Sequence, residues 1–321
     1  MKKSLRISVL ALAAAATVAL IPAPAQALGS AFSCEAITYQ SIQTQLKIGT
    51  VDTSASPAVL TYANLGDVHA EGFNAGGYNT VDNFIYALTA APVNLIKIAS
   101  DGSYESVGSL SGADSSHNYL AGDVSTDGLS LITFDYTDPD KSVWSIDLVT
   151  AVGTQIGTLA SAPSPVDFGD FAIVTAGGTT TAYGFDTTTG ALVSFDPTQN
   201  PISVSVNSSV AIAPGSPKGA VWTDSSGNLT TFANTTGDVY GIDNPSSASP
   251  TVGKVASGTP AAGNDGMKCA LSASAFPAPT AGLADTGMTS EGKVALATLA
   301  LGLLNAGLVV LLVRRRQSAQ H

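Results

Sequence analysis

SVWSIDL (residues 142–148), ALVSFDP (191–197) and DVYGIDN (238–244) share one pattern: two apolar residues spaced by one, then an aspartate. Side chains alternate sides along an extended chain, so Trp144 and Ile146, Val193 and Phe195, and Tyr240 and Ile242 each form a pair on one face of a strand. The apolar pair recurs upstream, without the aspartate, in NLIKIAS (94–100) and TQLKIGT (44–50). The first members of the five pairs are residues 46, 96, 144, 193 and 240, separated by 50, 48, 49 and 47. Self-similarity at this period marks a repeated supersecondary unit that buries its apolar face against copies of itself.

The segments around each pair repeat as well. A strand rich in small residues comes first (EGFNAGGYN, YLAGDVS, VDFGDFAIV, KGAVWTD). A second strand follows (NFIYALTA, LSLITFDY, TTTAYGFDT, LTTFANT), then the paired strand, then a fourth (YESVGSL, TQIGTLA, ISVSVNS, TVGKVAS). Four strands in about 48 residues is the size of a propeller blade. Small residues suit first strands, which crowd around a central channel. The last first-strand segment, NDGMKCA, has no second or third strand after it, whereas residues 34–64 supply those strands and lack a first. The expectation is all-β: a five-bladed β-propeller over residues 28–270, its last blade completed by N-terminal strands. A β-sandwich or tandem modules would not give five pairs at such nearly equal intervals.

Two cysteines, Cys34 and Cys269, lie at opposite ends of this region. Outside the cell they pair, and a Cys34–Cys269 bond would lock the ring where it closes.

The chain opens with a signal-peptide pattern: MKKSLR, an apolar stretch, then the small-x-small site Ala25-Gln26-Ala27, with cleavage expected after Ala27. Residues 294–313 are uncharged and, at about 1.5 Å each, long enough for a bilayer core of about 30 Å. Arg314–Arg316 follow and favour a cytoplasmic tail, 314–321. Residues 271–282 are rich in Ala, Pro and Ser and read as a tether; 288–293 form a spacer.

Leu283, Ala284, Asp285, Thr286 and Gly287 precede the apolar run. Motif, apolar helix and basic tail together resemble the cell-wall sorting signal of Gram-positive bacteria, and Ala284 in second place resembles the form read by actinobacterial class E sortases. The resemblance implies a substrate of that enzyme: a thiolate attacks the Thr286–Gly287 carbonyl, and an amine of the wall precursor then takes Thr286 into an amide. It implies a cell-wall surface protein that meets the membrane only through its precursor helix, with a sortase and the wall precursor as partners. Over residues 33–270 the blade pattern also resembles a family of actinobacterial secreted repeat domains of unknown function, which brings no active site.

Residues 28–286 hold 23 Asp and Glu against 6 Lys and no Arg, a net charge of −17. Such a surface repels phosphate backbones and excludes nucleic acid as a partner. No Gly-x-Ser-x-Gly elbow is present, and His69 and His117 sit in polar loops, expected exposed. No zinc spacing occurs. Asp135, Asp138 and Asp140 cluster in one loop as candidate Ca²⁺ ligands, the one cofactor suggested. Asp147, Asp196 and Asp243 recur once per repeat and read as turn residues bonding backbone amides. Asp82, Asp123, Asp170, Lys218 and Asp265 lie in or near first strands and are the candidate channel ligand-binding set. The reading favoured is a non-catalytic binding, adhesion or coat protein whose extracellular ligand is a glycan or protein. The alternative is an extracellular hydrolase or lyase using two channel carboxylates, which needs them facing each other at roughly 5–9 Å.

Overall fold

A computed structural model describes residues 27–159 and 166–280. The stretch read as a signal peptide up to Gln26, the residues read as a sortase motif, the apolar run and the basic tail lie outside the described residues. Twenty strands and no helix are found among those described.

Strands β1 (Thr38–Ile42), β2 (Gln45–Asp52) and β3 (Ala58–Asn64) form an N-terminal meander. Then come β4 (Phe73–Tyr78), β5 (Ile85–Thr89), β6 (Asn94–Ile98) and β7 (Tyr104–Ser109), which make one four-stranded antiparallel sheet. The next is β8 (Tyr119–Val124), β9 (Ser130–Asp135), β10 (Ser142–Asp147) and β11 (Gly153–Thr158). A third is β12 (Phe171–Ala176), β13 (Thr179–Phe185), β14 (Leu192–Phe195) and β15 (Val204–Asn207). The last are β16 (Lys218–Thr223), β17 (Leu229–Ala233), β18 (Asp238–Asp243), β19 (Thr251–Ser257) and β20 (Asn264–Met267). β16 to β19 form a fourth meander. β20 pairs antiparallel with β1, giving the order β3-β2-β1-β20, and a short parallel pairing of β19 with β3 joins the two into one eight-stranded sheet. The N-terminal strands therefore complete the final repeat, and the paired apolar segments fall on β2, β6, β10, β14 and β18.

Each hydrophobic cluster is shared by two successive units. Ile132, Phe134 and Val143 meet Phe171, Ile173, Val193 and Phe195. Leu88 and Leu95 meet Leu131 and Ile146. Tyr183 and Leu192 meet Val221 and Ile242. Trp222 and Phe232 meet Leu60 and Ala58. Leu46 and Tyr39 meet Ile85 and Ile96, which brings the last unit against the first. Sheets stacked on both faces explain why β5 is buried at every residue while the outer strand β7 is largely exposed.

The first strands β4, β8, β12, β16 and β20 contact one another in a closed circuit, β20 returning to β4. Small residues are required there. A Cβ on Gly77 would lie 2.3 Å from the Val124 amide of β8, and one on Gly266 would lie 2.9 Å from the Val221 amide of β16. Backbone cannot yield as a flexible side chain can, so any larger residue forces neighbouring strands apart.

Cys34 and Cys269 are bonded, with Cα atoms 5.3 Å apart and a sequence separation of 235. The segment read as a tether behaves differently as far as Thr280. Phe276 is buried against Trp222, ring centroids 5.8 Å apart. Ser225 donates its amide to the Ser272 carbonyl, and Pro279 lies over Gly241 and Gly253. One aromatic residue in an Ala/Pro/Ser stretch is enough to dock it on the ring.

Candidate functional site

First strands have one edge without a ladder partner, and buried N–H groups on that edge need acceptors. Three of the expected channel carboxylates supply them. Asp123 on β8 accepts from its neighbour Val124 (2.8 Å) and from Ile173 on β12 (2.8 Å). Asp170, just ahead of β12, accepts from Phe171 (2.7 Å), from Val221 on β16 (2.6 Å) and from Gly266 on β20 (3.1 Å). Asp265 on β20 accepts from Gly76 on β4. Each carboxylate thus ties its own first strand to the next, and together they close the middle of the channel.

Asp170 and Asp265 are fully buried beside each other. Burial raises both carboxyls, and the charge of Asp265 raises Asp170 further. Two carboxyls in contact without a cation hold one proton between them. Asp170 takes three N–H donors. Asp265 accepts from the Gly76 amide, and its Oδ1 has no hydrogen-bond partner. Burial also pushes Asp123 up to about 7.

These shifts set a sign for stability against pH. Unfolded carboxyls release their protons near pH 3.9. The folded chain keeps them to higher pH, so between these limits it binds more protons than the unfolded chain, and stability falls as pH rises. The contribution is full below the unfolded pKa and is lost as pH climbs through the raised folded values. Thermal melts are expected to show a lower midpoint at pH 8 than at pH 5. Asp265→Asn should flatten this slope, because an amide there donates to Asp170, accepts from Gly76 and has no proton to lose. A wild-type slope in Asp265→Asn would show that the pair shares no proton.

The other two expected channel residues lie elsewhere. Asp82 is in the β4–β5 turn, accepting from Phe84 (3.1 Å) and the Tyr86 hydroxyl (2.7 Å) and pairing with Lys97 at 3.1 Å. Lys218 is fully buried, its Nζ donating to the carbonyls of Ala213 (2.8 Å) and Ser216 (2.6 Å), and burial lowers it to about 8. Asp82 is held by its own turn and by side chains of β5 and β6, and Lys218 by the loop ahead of β16.

The loop of Asp135, Asp138 and Asp140, read as a candidate calcium site, is laced by its own hydrogen bonds. Asp135 accepts from Thr137 and Asp138 and lies 2.5 Å from His117 Nδ1, while Asp138 is taken up by Asp140 N and Ser142. Asp140 is exposed, and no group of three His, Cys, Asp or Glu among the described residues is placed to hold a metal ion. The turn reading holds for Asp147, which accepts from Val149 and Thr150, and for Asp196, which accepts from Thr198. Neither histidine is a free loop residue. His117 is fixed by Asp135, which raises its pKa. His69 is 2% exposed, 4.1 Å from the Tyr104 ring, and burial lowers it.

A chamber opens at each end of the first strands. One, of about 390 Å³, lies at their C-terminal ends beside Asp123, Asp224 and Lys268. Its polar groups are internally satisfied. Lys268 Nζ donates to the Cys269 carbonyl and to Ser272, and Asp224 accepts from the Ser226 and Asn228 amides. The other, of about 570 Å³, lies at their N-terminal ends and takes one residue or more from each: Asn74, Leu120, Gly169, Gly219 and Asn264.

A family model described as a repeat of unknown function (DUF6923) matches residues 36–271. The chain belongs to this family. The matched DUF6923 span runs from two residues after Cys34 to two after Cys269, and so coincides with the ring. A search of curated proteins finds no match. Among solved structures, the chain is similar to one in a nidogen/laminin complex at 9% identity and a TM-score of 0.43, covering 72% of this chain and 97% of that one. It is also similar to a periplasmic gluconolactonase of Pseudomonas aeruginosa (12% identity, TM-score 0.39, 67% and 66% covered) and to a streptogramin B lyase (11%, 0.39, 70% and 60%).

Proposed function

We propose that this DUF6923 chain is a wall-anchored, extracellular, non-catalytic binding protein built on a five-bladed propeller. Five first strands in circuit and five clusters, each shared by successive units, support the blade count. The observation that carries the binding role is the state of the channel carboxylates. Asp123, Asp170 and Asp265 are engaged by the backbone amides of neighbouring strands, and the closest pair is buried away from both chambers. Glycoside chemistry needs an acid and a base facing a substrate from two sides; this pair faces its own backbone.

The sorting-signal order in residues 283–316 supports the anchor. The sortase thiolate adds to the Thr286 carbonyl, the Gly287 amine departs with the helix, and a wall-precursor amine displaces the thiolate to leave an amide at Thr286. Class E selectivity belongs to Ala284. Mass spectrometry of wall digests is expected to find a peptide ending at Thr286 joined to wall material, absent in Thr286→Ala. Recovery of the intact C-terminus from the membrane alone would overturn the anchor. Turnover of glycan or peptide substrates by purified residues 28–286 would overturn the non-catalytic reading.

A further inference from the structure

We infer that the chamber at the N-terminal ends of the first strands is a binding site for a neutral saccharide, with Asn264 and Asn74 as its recognising side chains. The inference rests on the binding reading above and names its site and ligand class.

Asn264 is 2% exposed and lies at the floor of this chamber, and neither Oδ1 nor Nδ2 has a hydrogen-bond partner. Asn74 Oδ1, from the neighbouring first strand, is also buried without a partner. A buried polar atom left unpaired is destabilising, so such atoms are rare in folded proteins and each calls for a reason. Two from different strands converging on one concavity are explained by a ligand that pairs with them. The contrast with the opposite chamber is direct, since its lysine and aspartates are already satisfied by nearby backbone and hydroxyl groups.

The chemistry of the walls selects the class. No Lys, Arg or His lines this chamber and Asp167 stands at its edge, so phosphate, sulfate or carboxylate ligands find no counter-charge. A side-chain amide offers an acceptor and two donors, the complement of adjacent hydroxyls, each of which both donates and accepts. Pro217, Pro260 and Ala261 add an apolar wall suited to the C–H face of a sugar ring. The size lies within the usual range for small-molecule sites. A second hollow of about 280 Å³ shares Asn74, Leu120 and Gly263 with it and adds Glu71 and His117, the latter already paired with Asp135, a run of space that suits linked sugar units.

The test is saturation-transfer NMR on the purified chain with maltose, cellobiose and chitobiose, and with digalacturonate as the anionic comparison. Transfer to at least one neutral disaccharide and none to digalacturonate is expected. Asn264→Ala and Asn74→Ala should each weaken binding about tenfold, the loss of roughly one hydrogen bond. Asn264→Ala should melt no lower than wild type, because it removes an unpaired group; a structural asparagine would show a fall. Ala262→Trp, at an exposed rim position, should block binding with the fold intact and guards against misfolding of the asparagine variants. Absence of transfer to all three neutral sugars overturns the inference, as does binding unchanged in Asn264→Ala and Asn74→Ala. That failure leaves the Thr286 linkage standing, whereas hydrolysis of a bound sugar would overturn the non-catalytic reading and leave the site in place.

Discussion

Serine at both Cys34 and Cys269 is expected to cost the ring about 5 kcal/mol. The bond closes a loop spanning 235 residues, and the chain-entropy treatment of cross-links gives roughly that figure for a loop of this length. The local structure adds a second reason. β20 contributes only four residues, Asn264–Met267, to its pairing with β1, so the seam has few ladder hydrogen bonds of its own. Cys269 is also buried in the cluster that holds Phe32, Tyr39 and Met267, and loss of the bond loosens that packing. Urea titrations of the Cys34→Ser/Cys269→Ser chain should show a large fall in midpoint, and reduced wild type should follow the same curve. A midpoint close to that of the oxidised chain would mean that β20 holds its place without the cross-link.

Asp170→Ala should be the most damaging single change at the channel, at about 3–5 kcal/mol, since it strips acceptors from three buried amides at once. Two of those amides, Val221 and Gly266, belong to other first strands, so the loss separates three strands of the circuit. Asp265→Ala, which frees only the Gly76 amide, should cost less, and Asp196→Ala in an exposed turn less again. Thermal melts rank the three. Hydrogen exchange at Val221 and Gly266 should accelerate in Asp170→Ala well before other strand amides. If Asp170→Ala is no worse than Asp196→Ala, the carboxylate does not tie the strands together.

Much of this architecture is legible in the sequence because the apolar pairs on β2, β6, β10, β14 and β18 keep both strand period and repeat period. The incomplete first and last repeats, with one cysteine each, reveal the closure. The site is harder to read, and the reason is positional. Asp82 and Asp123 both lie in or near first strands in the sequence. Asp123 lies within β8 and reaches β12, whereas Asp82 lies past the end of β4 and bonds its own turn. A shift of a few residues moves a carboxylate from axis to surface. His69 is buried by Tyr104, on β7, a contact with no local signal. Asn74 and Asn264 carry no chemical motif. Their distinction is the lack of partners, which only the packed structure exposes.

The seam also governs how the molecule bears tension. A pull applied beyond Thr280 first meets the docked segment around Phe276, then Cys269. From there the covalent bridge carries the load past β20 to Cys34, at the head of β1. The closing strand is therefore not peeled away one hydrogen bond at a time. Force enters the sheet at β1, which has a neighbour on each side, and the ring resists as a hoop with a riveted joint.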